Sequence, residues 1–474
     1  MRRVVCATRA VLAVHPRPVI EPVHCPKIMP TVPAALSTKG VVGARVVTPW
    51  INQKPSARTV VHIDSSSGAY VTDKNGKKYF DMGNLCTNVV GHGNIEVANA
   101  MREQALRFGH VSPAAITDPV NELAEILGKY MPKNMRNFAF ITDGSRANDA
   151  AINIARRYTG RHKILSAYDS YHGSTMGTRA LTGEARRFGS EYVSGFVKFN
   201  TPYPYRSKYG SDLPDEKYTE LYLRDLRDLI TREGPDQIAA IFLETIIGTN
   251  GVIIYPDGYL KGVRKICDEF GILMVCDEVM VGIGRTGKMF AFEHFGIVPD
   301  IVTMAKGITS GYVPMSAVAF SDQIYEYHLE NPYNNGATYA NHPVAAKVAA
   351  TVLQIMERDH IVENAAALGD CIGKGLHYMK EKYSFVGDVR SLGAFGCMEL
   401  VTDRETKNPI DDAKMLSVYN QQIQNGIIPM NCRSIVHTNA PLISTKADIA
   451  YLFDQIDKTF ETLAGKLESR QSDK

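Results

Sequence analysis

The 474-residue sequence has no C-x-x-C pair among its eight cysteines. Cys267, Cys276 and Cys397 instead lie inside apolar patterns, as buried thiols of a reducing compartment do, and not as a disulfide frame or a metal site. Charge of one sign is also missing. A formal net charge of +3 gives no electrostatic basis for gripping nucleic acid or an anionic membrane. No apolar run approaches the ~20 residues that a spanning helix needs. Internal repeats and long low-complexity linkers are absent too. What remains, 45% hydrophobic and 22% charged residues, is ordinary globular composition with enough length for two or so domains.

One further absence is local. The first 28 residues carry Arg2, Arg3, Arg9 and Arg17 but no acid before Glu21, followed by Pro-rich unpatterned sequence. Such a start has the character of a mitochondrial presequence. A disordered tail ahead of an internal start at Met29 is the alternative, with a cytoplasmic protein as its consequence. A secretory signal fits less well, because Arg9 splits the apolar stretch Val4–Val14.

Beyond the leader the pattern becomes regular. Residues 60–80 alternate, with turn residues at Ser-Ser-Gly and Lys-Asn-Gly, and predict small antiparallel strands. A Gly/Asn-rich loop runs to Gly93, then a helix pattern to about Arg107. From 119 to 320 strand-like and helix-like segments alternate: helix 119–130, strand 137–142, helix 147–158, strand 163–167, a loop to about 217, helix 218–232, strand 238–243 and helix 257–270. Two buried runs follow, Ile272–Cys276 and Ile301–Ala305. This order predicts an α/β fold with a doubly wound, mostly parallel sheet. Helix 343–357, a second helix after 361 and a mixed C-terminal segment complete a smaller α+β domain drawn from both termini.

Each of the two runs ends on one charged residue, Asp277 and Lys306. Ligands sit at the carboxyl ends of strands in such sheets, so the two charges are expected to meet. A strand-end lysine or aspartate alone is commonly a surface residue or a cap. The pair together suits a pyridoxal cofactor, which needs an amine for its Schiff base and a carboxylate for its ring nitrogen. Its phosphate needs bare backbone at a helix start. Asp143-Gly144-Ser145, between strand 137–142 and the next helix, offers that, although an ordinary N-cap turn reads the same. Tyr171-His172-Gly173, in the loop after strand 163–167, offers an aromatic face. Gly282-Ile-Gly284-Arg-Thr-Gly287 matches a dinucleotide fingerprint but lies five residues past its strand, with no long helix behind it. It reads as a connecting loop.

The stretch CDEVMVGIGRTGKMFAFEHFGIVPDIVTMAKGITSGYVPMSAV resembles the signature of class III pyridoxal-phosphate aminotransferases, of fold type I. The resemblance runs from about Trp50 to Leu463. Together with TPYPYRSKYG at 201–210, it points to the ω-amino-acid:pyruvate branch, which includes taurine, β-alanine, γ-aminobutyrate and amine transaminases. It implies pyridoxal 5′-phosphate as cofactor and a ping-pong transfer from an ω-amino acid or amine to pyruvate or a similar 2-oxo acid. Composition and pattern then divide the chain into a targeting leader or disordered tail at 1–28, the N-terminal part of a small domain at 29–95, a large cofactor-binding domain at 96–342 and a linking helix plus the remaining small domain at 343–474.

Residue by residue, the resemblance makes Lys306 the Schiff-base lysine and proton shuttle, and Asp277 the partner of the pyridine nitrogen. Val279 would pack on the ring opposite Tyr171, Gly144 and Ser145 would hold the phosphate, and Glu244 would stand beside the cofactor. Thr338 would reach the partner subunit's phosphate, which implies a homodimer. Arg433 would take a substrate carboxylate. Three positions depart from the family pattern: Arg146 replaces a glutamate at the phosphate turn, Thr245 replaces a proline after Glu244, and Cys86 stands where a large aromatic usually lines the substrate pocket. A smaller side chain at 86 predicts a wider pocket. Two alternatives stay open: a cofactor enzyme of this fold with another reaction (aminomutase, racemase or decarboxylating transaminase), and a non-catalytic relative used for binding.

Overall fold

The computed structural model describes residues 47, 49, 58–189 and 193–468; the leader lies outside the described residues. The chain opens with a meander of β1 (Ile63–Ser67), β2 (Tyr70–Asp73) and β3 (Lys78–Asp81). Gly68 and Gly76 make its turns at φ of 59° and 83°, a region that costs a residue with Cβ. The large sheet and its helices follow. They are α1 (Ile95–Arg107), α2 (Asp118–Tyr130), β4 (Asn137–Ile141), α3 (Gly144–Thr159), β5 (Lys163–Ala167), α4 (Met176–Leu181), β6 (Phe196–Phe199), α5 (Asp215–Glu233) and β7 (Ile238–Glu244). Then come α6 (Tyr259–Phe270), β8 (Leu273–Asp277), β9 (Ile301–Met304), β10 (Ser316–Phe320) and α7 (Asp322–Glu330).

These seven strands form one sheet in the order β4-β10-β9-β8-β7-β5-β6. Only β10 runs against its neighbours, pairing antiparallel with β4 and β9; the other ladders are parallel. Every residue of β7 is buried, as a strand covered on both faces by helices must be. The βα alternation of the sequence therefore corresponds to this sheet. The segment expected to be a loop up to 217 proves richer: it holds α4 and the edge strand β6. Strand β6 is only four residues long and its pattern is obscured by Lys198, whose ammonium reaches Ser166 Oγ and two carbonyls. Strand β10, a five-residue run soon after Pro314, is a further strand beyond those expected.

After the sheet come α8 (Pro343–Arg358), α9 (Ile361–Lys382), β11 (Val386–Leu392), β12 (Phe395–Leu400), α10 (Asp412–Gln424), β13 (Ile427–Ile428), β14 (Asn431–Cys432), β15 (Ile435–His437) and α11 (Lys446–Glu468). A second small sheet has the order β11-β12-β15-β14, and β13 crosses back to pair parallel with β3. The two ends of the chain thus share one sheet. Arg285, fully buried, ties these parts together through carbonyls alone, those of Asn88, Ala394 and Ala440.

Candidate active site

The carboxyl ends of β4, β5, β7, β8 and β9 bring every strand-end candidate to one edge of the sheet. Glu244 ends β7 in register with Asp277 of β8, and Asp277 is in register with Thr303 of β9. Lys306 begins two residues beyond β9, in a single 3-10 turn, Lys306–Thr309.

Asp277 is the most firmly held group. Its Oδ2 accepts from Asn148 Nδ2 at 2.8 Å and faces His172 Nδ1 at 2.8 Å, while its Oδ1 accepts from the Val279 amide at 3.0 Å. Both Asp277 and His172 are closed to solvent, at 3% and 0% side-chain exposure. Asn148 is fixed in turn: it donates to the His172 carbonyl and accepts from Thr303 Oγ1. Neither Asn148 nor Thr303 was singled out from the sequence. The signal was there for Asn148, a polar residue on the buried face of an otherwise apolar α3.

Glu244 accepts from the Tyr171 amide at 2.7 Å and the Gly248 amide at 2.9 Å. Burial pushes its carboxyl up to about 7, with His172 and these amides opposing and Asp277 adding to the rise. Next to it, Thr245 Oγ1 donates to Glu278 Oε1 at 2.7 Å. Glu278 also accepts from the amides of Ala291 and Phe292, and burial lifts it to about 7 as well. The threonine that replaces the usual proline therefore has a structural task.

Lys306 sits at φ of 47° and Ser310 at 49°, a left-handed conformation that few non-glycine residues adopt and that concentrates at functional sites. Among the described residues, Lys306 Nζ has no hydrogen-bond or ion-pair partner. The turn is locked instead through Ser310 Oγ, which accepts from the amides of Val89 and Val90 at 2.9 and 3.0 Å. A Cβ on Gly307 would stand 3.0 Å from Val89 and 3.1 Å from Ile283, so the turn is pressed flat between them.

At the phosphate turn, Asp143 caps α3 by accepting from the Arg146 amide. A Cβ on Gly144 would lie 2.8 Å from Val279 Cγ1, and one on Gly173 would lie 2.5 Å from Ser145 Oγ. Ser145 Oγ accepts from the Ser174 amide at 3.1 Å. Two side-chain-free positions thus close bare backbone around the start of a helix, an arrangement suited to an oxyanion. Arg146 is exposed.

Cys86, Arg433 and Thr338 are the remaining candidates. Cys86 is buried at φ of 66° in an apolar cluster with Ile246, Met280 and Met430, and its thiol is pushed up by burial against the opposing charges of Arg285 and Lys306. The side chain of that turn that reaches solvent is Leu85. Arg433 follows β14 at φ of 52° and pairs with Glu184 at 3.0 Å. Thr338 lies in an exposed turn.

The sequence profile of class-III aminotransferases matches residues 51–460, and this chain belongs to that family. A taurine–pyruvate aminotransferase of Bilophila wadsworthia is 33% identical over 84% of this chain and 92% of its own. An uncharacterised aminotransferase of Bacillus subtilis is 35% identical over 84% and 91%. Among solved structures, a taurine:2-oxoglutarate aminotransferase of Bifidobacterium kashiwanohense, in complex with PLP and glutamate, superposes with a TM-score of 0.85 at 34% identity, covering 89% of this chain and 96% of that one. The fold is that of fold type I transferases, and the chain is a transaminase acting on amine donors and 2-oxo acids. Its cofactor is pyridoxal 5′-phosphate, which the residues present fit. An unengaged lysine, a multiply bonded aspartate and a glycine-lined helix start lie on one sheet edge.

Proposed function

We propose that this aminotransferase takes its amino group from an ω-amino acid or amine and delivers it to pyruvate or a similar 2-oxo acid, in two half-reactions at one site. The observation that carries this reading is Arg433, a half-exposed guanidinium held by a single carboxylate, Glu184, at the solvent-facing mouth that these two form with Arg186 over the Tyr171 ring. A planar fork suits bidentate pairing with an acid group. The likeness to taurine–pyruvate aminotransferases supports a donor with its acid distant from the amine.

When bound, pyridoxal phosphate supplies an electron sink for the carbon next to the substrate nitrogen. Every other task falls to the chain. Lys306 Nζ holds the cofactor and moves the proton at that carbon, freed for both by the lack of a competing partner. Asp277, braced by Asn148, His172 and the Val279 amide, holds the charge of the ring nitrogen. Val279 and Tyr171 would confine the ring, Gly144 and Ser145 would hold the phosphate, and Glu244 would stand beside the cofactor. The chain acts as a homodimer in which exposed Thr338 serves the partner's phosphate, and the Arg-rich leader directs it to mitochondria.

Purified protein given β-alanine, γ-aminobutyrate, taurine and an unsubstituted amine, each with pyruvate and with 2-oxoglutarate, tests the reading. Alanine is expected from at least one ω-amino acid with pyruvate. No amino transfer from any of these donors to either acceptor would overturn it.

A further inference from the structure

The turn that follows β7, residues 248–252, closes on itself. The amides of Gly251 and Val252 both donate to the Gly248 carbonyl, at 3.0 and 3.1 Å, and a bridge between Ile247 and Ile253 clamps the base. From this turn the Gly248 amide donates to Glu244 Oε2 at 2.9 Å. Asn250 Nδ2 donates to the Asp169 carbonyl at 2.5 Å, two residues before Tyr171. The other oxygen of Glu244 accepts from the Tyr171 amide. One turn thus touches both Glu244 and the loop of Tyr171, which the proposed function places at the cofactor.

Its backbone is strained. Val252 stands at φ of 50°, an outlier for a β-branched residue, and Gly251 at 116°. A Cβ on Gly251 would lie 2.8 Å from Arg390 Nη2. Strain of this kind persists only where the surroundings over-determine it. Here a transverse row of the second small sheet does so. Arg390 of β11 is in register with Cys397 of β12, and Cys397 with His437 of β15. All three side chains reach the turn. Arg390 Nε donates to the Gly251 carbonyl at 2.7 Å, the Cys397 thiol donates to the same carbonyl at 3.0 Å, and His437 Nε2 faces the Gly248 carbonyl at 3.3 Å.

Arg390 carries the charge of this row. Its side chain is 10% exposed, and the rest of its fork is held by Asp388 and, at 2.9 Å, by Glu399. Glu399 is buried and also accepts from Tyr203 and Arg206. A buried ion pair returns little net stability, and apolar packing of similar volume often does better. What this pair supplies is a fixed direction for Nε, aimed at the turn.

We propose that the row of Arg390, Cys397 and His437 sets the turn 248–252 and, through its main chain, the positions of Glu244 and Tyr171, with Arg390 as the positioning residue. The small domain then shapes the cofactor edge of the large one. The inference rests on the proposed function only in placing Glu244 and Tyr171 at the cofactor.

Hydrogen exchange read by mass spectrometry, on apoprotein and on holoenzyme, tests the relay. In Arg390→Gln the amides of Tyr171, Gly248, Gly251 and Val252 are expected to exchange about tenfold faster, while those of α6 and α8 keep their rates. Arg390→Lys, which still reaches a carbonyl, recovers part of the loss. Asn250→Ala is expected to release the Tyr171 amide and leave that of Gly248 protected. Titration of apoprotein with pyridoxal phosphate is expected to show an affinity about tenfold lower in Arg390→Gln. Should that variant not fold, Cys397→Ala, which removes one of the two donors to Gly251, carries the same test with a smaller, equally selective effect. Exchange that rises evenly along the chain, or stays unchanged at those four amides, would overturn the proposal, as would an unaltered cofactor affinity. A parent that transfers no amino group, yet whose variants show the selective exchange and weaker cofactor binding, removes the proposed reaction and leaves the relay.

Discussion

The floor and the mouth of this site are built in opposite ways. On the floor, one carboxylate, Asp277, is surrounded by donors from α3, from the loop after β5 and from its own turn, all closed to solvent. At the mouth, one carboxylate, Glu184, is divided between two cations, of which one is half in water. In low dielectric a surplus of partners fixes a charge in one place, and a deficit of partners leaves it exchangeable. The floor must hold a cofactor through every turnover. At the mouth, with two cations on one carboxylate and one of them half in water, the contact to Arg433 is the more readily exchanged.

If that contrast is right, changes at the floor act on rate and changes at the mouth act on discrimination. The largest effect is expected for Lys306→Ala, with amino transfer falling by roughly four orders of magnitude, the upper range for removing a positioned acid–base group. Rapid-quench assay of a single half-reaction measures it, and residual turnover within a hundredfold of the parent would place the proton transfer on another group. Asp277→Asn keeps the shape but removes the charge. A loss of about a hundred- to a thousandfold in kcat is expected, as for other preorganised electrostatic groups. Equal losses in KM and none in kcat would show that Asp277 binds without assisting the chemistry. At the mouth, Arg433→Ala should raise KM for pyruvate about tenfold and change kcat little. A loss confined to kcat would move Arg433 from the mouth to the floor.

The same contrast decides what was legible in the sequence. Asp277, Glu244 and Lys306 terminate apolar runs, and in a parallel sheet a run's end is a position in space. Periodicity alone thus brings them to one edge, and Gly144 follows from the helix start after β4. Arg433 was marked by resemblance, but its partner was not. Glu184 and Arg186 lie in a short turn without period, and 249 residues separate Glu184 from Arg433. No spacing rule reaches across that distance. Asn148 and Thr303 were hidden differently, because a single polar residue in an apolar element looks like tolerance until its partner is seen. Strand β6 was lost to its brevity and its lysine.

The smallest expected effect lies beneath the floor and checks its saturation from behind. Thr245 Oγ1 is one of three donors to Glu278, and this contact favours the ionised carboxylate. Glu278 is lifted to about 7 in the folded protein by burial, against about 4.3 in an unfolded chain. The folded state therefore binds more protons than the unfolded one between these values. The stability due to this group is fully present at acid pH and lost as pH rises through about 7. Removing a donor that lowers the folded value deepens that loss. Thr245→Val is thus expected to cost about 1 kcal/mol above neutral pH and less near pH 5. Denaturant unfolding of parent and variant at both values measures the difference directly, cancelling the opposite slope of His437, which burial lowers to about 4. A deficit that is the same at both values would mean that Glu278 is held ionised throughout. The second buried glutamate would then belong with Asp277, as part of a floor whose charges are all fixed.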